Sequence, residues 1–582
     1  MKIRLARTAG FCMGVRRAVE MALDLQREAR IKPIVTYGPL IHNPQTLKLL
    51  NSKGISQVDS VDDIKDGTVI IRAHGISPQE RSTLDSRGVT IIDATCPRVS
   101  QVQAFIRKHA DRGDFCIIVG DADHPEVRGL VGFASSGALV VSGSQLENLV
   151  TSIPLHRNIC VVAQTTQEPK TFNNVVSLLE ACGARMKVYN TICNSTKKRQ
   201  AEVDELARQS DLVIVVGGKG SGNTQRLAKV ASDHGKPVMH IETDDELDPF
   251  DLTGIDTVAV TAGASTPNWQ IRQVIEKLKQ IDRAERGDWL SRLRMLGDIS
   301  VMIYGWAALG GAGLTVACLS LLSEPLTWVP PTVTALFVFS MHLLNRIQER
   351  AGAVRFNTPE IAAFYATHGQ ALTIIGLSSS LLAIALSFKI SFLSGLMLIM
   401  MTITGLLYSV PIFTFFGFPV KHWRALKDLP GSKTPLVATG WAMAACVVPM
   451  LDFDYVPSSL AILTTFILAF TLVFWRTALS DLLDIQGDRI MGRETIPILL
   501  GATKTRKMLN YLLLLLAFLL LILGLTGLTP KVAFLLTINI GVYYLLFAFL
   551  VERHLIDRLF LEALTDGNFV LAGMISATYM LF

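Results

Sequence analysis

The stretch "DFCIIVGDADHPEVRGL" at residues 114–130 aligns without a gap on "DLVIVVGGKGSGNTQRL" at residues 211–227, an offset of 97 residues. In both, a β-branched apolar run breaks at glycine into a polar turn, and a helix-type pattern follows. The alignment sets Ser221 opposite His124 and Asn223 opposite Glu126, and the same offset carries Cys96 onto Cys193. A more diverged copy begins at Cys12: the distance from each cysteine to its polar tip is 30 residues to His42, 28 to His124 and 28 to Ser221. A second tip follows another apolar run in each copy, at His74, Thr165 and Ser265. Residues 1–280 therefore read as three repeats, about 1–95, 96–192 and 193–280. Each offers one cysteine and two polar tips at strand ends, where open α/β sheets place their ligands. Alone, His124 and Glu126 have a plainer reading as the cap and acidic first turn of a helix starting at Pro125.

The 582-residue chain is two materials joined end to end. Up to about residue 280, short strands alternate with charged amphipathic helices, the pattern of a soluble α/β domain. Residues 281–298 form a juxtamembrane linker whose four arginines are matched by four acidic residues, with Trp289 placed for a membrane surface. From residue 299 to 582 the chain is an all-α integral membrane domain. About nine apolar segments are long enough, or nearly so, to cross a bilayer: 299–322, 329–345, 371–388, 390–411, 434–451, 457–478, 508–527, 531–550 and 566–582. If residues 1–298 are cytoplasmic, the loops on the opposite side carry only Lys389 and Lys531, a strong positive-inside asymmetry. The expected location is the inner (cytoplasmic) membrane, multi-pass. The start, "MKIRLARTAGFCMGV", has no apolar signal-peptide core. A net charge of +6 is then membrane topology, and no nucleic-acid partner is expected.

Of eight cysteines, Cys116, Cys160, Cys182, Cys318 and Cys446 read as buried small hydrophobes. Cys12, Cys96 and Cys193 are repeat-related and sit beside turn residues. A reducing compartment disfavours disulfides, leaving a metal or a reactive thiol. Three thiolates fall short of a four-ligand structural zinc site but fit an iron–sulfur cluster with one iron open.

Residues 1–280 resemble the 4-hydroxy-3-methylbut-2-enyl diphosphate reductases, through "GFCMGV", "GPLIHNPQ", "RAHG", "DATCP", "GDADHPEVRG", "AQTT", "VVGGKGSGNTQRL" and "TAGASTP" in order. The resemblance implies a three-lobed, pseudo-three-fold α/β fold around a [4Fe–4S] cluster held by Cys12, Cys96 and Cys193. It implies reductive dehydroxylation of the allylic alcohol diphosphate to isopentenyl and dimethylallyl diphosphates, with a ferredoxin- or flavodoxin-type electron donor. Glu126 is the expected proton donor, with Thr165 relaying or orienting the hydroxyl. His42, His74, His124, Ser221, Asn223 and Ser265 are the expected diphosphate donors. Gly222 stands where that family commonly has Ser, so one hydroxyl contact is lost or replaced by backbone N–H.

The membrane half has its own chemistry. Asp481, Asp484 and Asp488 are spaced i, i+3 and i+7, which puts them on one helical face just past an apolar span. Acidic groups at such a depth are rare unless functional, and a set of them can hold Mg²⁺ against a diphosphate. This segment and "YSVPIFTFFGFPVKHWRALKDLPGSKT" at residues 408–434 resemble the UbiA-type intramembrane prenyltransferases, which move a prenyl group to an aromatic or lipid acceptor. The first acidic motif of that family reads here as Asn345, Glu349 and Ala353, so one ligand is missing. Lys421, Arg424 and Arg489 are expected to clamp the diphosphate. The competing expectation is a degenerate prenyltransferase-like domain that anchors an active reductase.

Overall fold

The computed structural model describes residues 1–28, 33–142, 153–248, 252, 254–286, 289–348, 359–410, 425–453, 455, 457–490, 492–551 and 558–582. They form two compact units, Met1–Glu285 and Arg286–Phe582.

The first unit holds twelve strands: β1 (Lys2–Leu5), β2 (Ile34–Tyr37), β3 (Ile55–Val58), β4 (Thr68–Ile71), β5 (Thr90–Asp93), β6 (Phe115–Val119), β7 (Ala138–Val141), β8 (Ile159–Ala163), β9 (Met186–Val188), β10 (Leu212–Val216), β11 (Val238–Ile241) and β12 (Thr257–Ala262). They make three four-stranded parallel sheets in one repeated order, β3-β2-β4-β5, β7-β6-β8-β9 and β11-β10-β12-β1. The third sheet departs from the expected repeat boundaries. Its last strand is β1, paired Lys2 to Thr257, so the start of the first repeat completes the sheet of the third. In consequence each repeat-related cysteine follows a fourth strand: Cys12 after β1, Cys96 after β5 and Cys193 after β9.

The sheets form because their central strands are apolar on both faces, as parallel strands covered by helices require. The helices are α1 (Met13–Glu28), α2 (Pro44–Ser52), α3 (Pro78–Ser86), α4 (Pro97–Ala110), α5 (Pro125–Val131), α6 (Pro169–Ala181), α7 (Asn194–Arg208), α8 (Gly222–Ser232) and α9 (Asn268–Arg286). In the second sheet, α4 sets Val102 and Ile106 against Ile118 and Val162. From the other face, α6 sets Phe172 and Val175 against Ile117 and Val161. Each of these side chains is at most 2 % exposed, and burying one contributes about 1.5–3 kcal/mol. Proline opens α2 through α6, where its fixed φ suits the first helical turn and no donor is wasted.

A polar tie crosses this sheet. His109 Nδ1 meets Asp114 Oδ2 at 2.6 Å and His109 Nε2 meets the Tyr189 hydroxyl at 3.0 Å. His109→Ala leaves a buried carboxylate and a phenol unpaired, at about 1–3 kcal/mol for such a loss. Faster amide exchange in β6 and β9 is the expected result; unchanged exchange there would show that the tie is dispensable.

The second unit is helical: α10 (Trp289–Met302), α11 (Gly305–Leu321), α12 (Val329–Gln348), α13 (Pro359–Ser387), α14 (Phe392–Leu407), α15 (Lys433–Ala442), α16 (Ser459–Leu483), α17 (Ile485–Ile490), α18 (Ile496–Leu500), α19 (Ala502–Thr526), α20 (Val532–Val551) and α21 (Arg558–Leu581). Four helices among the described residues are long and apolar enough to cross a membrane, within Ile361–Ser387, Ser459–Leu483, Ala502–Thr526 and Leu559–Leu581. A fifth counts if the pair Met295–Met302 and Gly305–Leu321, bent by 67°, is one span. The expected first segment, 299–322, is thus broken near Tyr304, whose φ of 64° is rare for a residue with a Cβ. The expected fifth segment, 434–451, runs from α15 into a π-bulge at Met443–Val447. Large apolar residues such as Ile374, Leu381, Leu515, Phe518 and Leu545 face outward, a surface suited to lipid. Inside, a Cβ on Gly573 would lie 2.5 Å from the Gly313 Cα. Only glycine lets α11 and α21 pack so closely.

Candidate functional site

All six polar tips of the first unit lie at the carboxyl ends of central strands. His42, His124 and Ser221 follow β2, β6 and β10, and His74, Thr165 and Ser265 follow β4, β8 and β12. The cysteines are hooked to the second set by backbone bonds. Cys12 donates its amide to Ala264, Cys96 to Ala73 and Cys193 to Thr165, at 3.0, 2.9 and 2.8 Å. Each acceptor is a tip residue or the residue before one.

The three thiols converge. Cys96 and Cys193 cap α4 and α7, and Cys12 immediately precedes α1. A Cβ on Gly14 would sit 2.5 Å from Cys96 Sγ, so only glycine lets α1 approach that thiol. Burial raises the Cys96 thiol pKa, as do the charges of Cys12 and Cys193. All three are partly exposed while Cys116 and Cys160 are buried. Three soft donors at helix N-termini, brought close enough that Cys12 and Cys193 act on Cys96, fit a thiolate-bound metal cluster.

Glu126 is 2 % exposed. One carboxylate oxygen accepts the Thr165 amide at 2.7 Å, and the other pairs with the Thr165 hydroxyl at 2.9 Å. Burial raises the Glu126 pKa, and the two Thr165 bonds pull it partly back. The plainer reading of this turn also holds. His124 Nδ1 accepts the Glu126 amide at 3.1 Å and caps α5. A neutral His124 therefore carries its proton on Nε2.

His42, His74 and His124 form one cluster, with ring centroids 4.6 Å apart for His42 and His74, 5.6 Å for His42 and His124, and 5.4 Å for His74 and His124. Burial lowers all three pKa values, with Arg72 contributing at His42 and the other two rings at His74; His124 falls to about 4. Ser265 donates its hydroxyl to the His42 carbonyl at 2.9 Å. Gly222 lies beside the cluster, since a Cβ there would be 4.0 Å from His124 Nε2. Ser221 and Asn223 are buried at the start of α8. Among the described residues His42 Nε2, His74 Nδ1 and Asn223 Nδ2 are buried with no hydrogen-bond partner. Such orphaned polar atoms mark a ligand site.

Two residues enter that sequence reasoning missed. Arg199 is buried, donates to the Ala262 and Gly10 carbonyls at 3.0 and 2.5 Å, and interacts electrostatically with Cys12 and Cys193. Arg226 ties Thr166 to Asp121 at 3.1 and 2.5 Å. Each lies inside a polar helix pattern that reads as surface, so residue type gives no signal.

The second unit encloses a cavity of about 520 Å³ whose lining includes Asn345, Lys433, Asp484, Asp488 and Arg493, with Phe337, Trp441 and several methionines. Asp481 is absent from that lining. It is held by Lys433 Nζ at 2.5 Å and the Thr434 hydroxyl at 2.9 Å. The expectation of one continuous helical face also changes, because α16 ends at Leu483 with Asp484 as its cap and Asp488 sits on α17. Asn345 accepts from the Ser409 hydroxyl at 3.3 Å, and Arg489 is on α17. Glu349, Ala353, Lys421 and Arg424 lie outside the described residues.

The family profile described as LytB protein matches residues 3–279. The 4-hydroxy-3-methylbut-2-enyl diphosphate reductase of Pelobacter propionicus is 42 % identical over 284 residues, covering 49 % of this chain and 99 % of the relative. Among solved structures, the E-1-hydroxy-2-methyl-but-2-enyl-4-diphosphate reductase of Plasmodium falciparum is 28 % identical, with a TM-score of 0.45 over 47 % of this chain and 87 % of its own. A UbiA homolog from Archaeoglobus fulgidus, bound to GPP and Mg²⁺, is 16 % identical, with a TM-score of 0.36 over 48 % of this chain and 99 % of its own.

Proposed function

Since the chain belongs to the LytB protein family through residues 3–279, we propose that residues 1–280 reduce 4-hydroxy-3-methylbut-2-enyl diphosphate to isopentenyl and dimethylallyl diphosphates. The observation that carries this reading is the Glu126–Thr165 pair, tied through the Thr165 carbonyl to the Cys193 amide. A buried acid whose pKa burial raises is thereby tied to the backbone of one of the three repeat-related cysteines, which supports the reading. Cys12, Cys96 and Cys193 would hold a [4Fe–4S] cluster, which when bound would relay two electrons, one at a time, from an external reductant and lend Lewis acidity toward the substrate oxygen.

The protein's own groups do the rest. Hydroxide is a poor leaving group, so a proton must reach it as the C–O bond breaks and it departs as water, and a second proton must then reach either end of the allyl anion that the two electrons leave, giving the two isomers. Burial favours the neutral form of Glu126, which suits it to deliver that proton. A protonated Glu126 can donate to the Thr165 hydroxyl, whose own hydrogen is then free for the substrate oxygen. The diphosphate is met by the His124 Nε2–H, His42, His74, Ser221, Asn223 and backbone N–H at Gly222. Ser265 joins by turning its hydrogen off the His42 carbonyl. The test is anaerobic turnover of the allylic diphosphate with a chemical reductant, read as the two isomeric products. Purified protein with its full iron content and no product would overturn the reading.

Residues 299–582 follow as a membrane prenyltransferase domain joined through the 281–298 linker, in the inner membrane, with all nine segments crossing and residues 1–298 cytoplasmic. The cavity shared by Asn345, Asp484 and Asp488 favours activity over a mere anchor. Asp484 and Asp488 would hold Mg²⁺ against a prenyl diphosphate. Lys433 already neutralises Asp481, which leaves that aspartate a positioning role. A ferredoxin- or flavodoxin-type donor and an aromatic or lipid acceptor complete the partners. Asp484→Ala is expected to erase magnesium-dependent prenyl transfer in membranes while leaving the reductase active. If wild type transfers nothing and the variant changes no cellular lipid, the domain is an anchor.

A further inference from the structure

A diphosphate is a polyanion, yet the side chains gathered for it at the strand tips are neutral. Burial lowers the pKa values of His42, His74 and His124 and keeps the rings uncharged, while serine and asparagine carry no charge. Two arginines act on these rings electrostatically, Arg72 on all three and Arg226 on His124. Arg72 is committed elsewhere, with its Nε donating to the Gly75 carbonyl at 3.4 Å and its guanidinium 5.6 Å over the Tyr37 ring. Lys219, in the glycine-rich turn before Ser221, is exposed and pairs with Glu246 at 2.6 Å.

Arg226 is placed differently. Its side chain is 11 % exposed, and a Cβ on Gly222 would lie 3.3 Å from Arg226 Nη1 and 4.0 Å from His124 Nε2. The two nitrogens therefore flank a corner that Gly222 leaves without a side chain, and they are separated by no more than the sum of those distances. Two oxygens of one phosphate, each accepting at ~2.9 Å, bridge such a gap with no side chain moving. Thr166 takes one hydrogen from Nη1 at 3.1 Å and Asp121 one from Nη2 at 2.5 Å, out of five on the guanidinium. We propose that Arg226 is the cation that recognises the diphosphate, with Asp121 as the counter-ion that fixes its position. The identity of the substrate rests on the reductase reading; the match to a phosphate-bearing anion rests on the geometry and on the guanidinium fork.

The competing role is a plain tie between lobes, since α8 belongs to the third sheet while Asp121 and Thr166 follow strands of the second. Calorimetry with inorganic pyrophosphate separates the two, on the full chain in detergent, anaerobic, iron-loaded and without added magnesium. Arg226→Met should weaken pyrophosphate binding and raise KM for the allylic diphosphate by about 10- to 100-fold, the range of a charged hydrogen bond. The kcat at saturation and the iron content should stay unchanged, as loss of uniform binding requires. Asp121→Asn keeps an acceptor for the arginine but releases its charge, so pyrophosphate should bind several-fold tighter. A lobe tie predicts weaker binding in both variants, with kcat falling alongside affinity. Unmoved affinity in Arg226→Met, weaker binding in Asp121→Asn, or no pyrophosphate binding by the wild type would overturn the proposal. If Arg226→Met does not fold, Asp121→Asn decides alone. Affinities that follow the charge in a protein that never turns over the allylic diphosphate would keep the arginine's role and sink the reductase reading.

Discussion

Cys193→Ser is expected to strip the chain of most of its bound iron and of nearly all turnover, while Cys160→Ser keeps both. Cys193 caps α7, is partly exposed and is fixed by its amide bond to Thr165. A serine there keeps the backbone but offers iron a hard, protonated oxygen in place of a thiolate. Cys160 is buried in β8 opposite Cys116, so its substitution disturbs packing and no ligand. Iron and acid-labile sulfide per chain, with the visible spectrum under argon, measure both variants. Full cluster and activity in serine variants of Cys12, Cys96 or Cys193 would remove the cluster from these residues.

Glu126→Gln is expected to lower kcat by about 10²-fold or more, the usual range for a general acid, with little change in substrate affinity. His42→Ala should instead weaken binding. The two are separable because Glu126 bonds to Thr165 while His42 lies in the histidine cluster. The pH dependence has a sign. Burial raises the Glu126 pKa, so the acid form survives above the ordinary carboxyl range, and kcat falls as pH rises through the raised value. Glutamine should remove that falling limb along with the rate. Equal losses confined to affinity in both variants would make Glu126 a binding residue only.

Much of this site is legible in the chain because repetition announces it. Strands such as "FCIIV" and "LVIVV", each followed by a polar turn, mark where side chains must gather once parallel sheets form. The strand "KIRL" carries no comparable signal: it is short and half polar, and its place beside β12 is decided by a vacant sheet edge some 250 residues away. Arg199 was invisible for a related reason, since a charged residue in a polar helix looks solvated until the neighbouring backbone buries it. In the membrane half, hydropathy located the helices but gave neither the bend at Tyr304 nor the fate of Asp481. Lys433 claims that carboxylate from 48 residues upstream, and spacing along one helix cannot register a partner on another.

The pairing of β1 with β12 also sets an order of events during synthesis. Once made, β1 finds its neighbour only after residue 257 has been made, about 12–50 s later at 5–20 residues per second. Until then the eight strands β2 to β9 can build two lobes unaided, while Cys12 trails beside an unpaired β1. The gathering of the three thiols therefore waits for the last lobe to close, and the apolar helices that follow emerge close behind it. A nascent chain stalled before β12 would carry two of its three thiols in place and leave the third adrift.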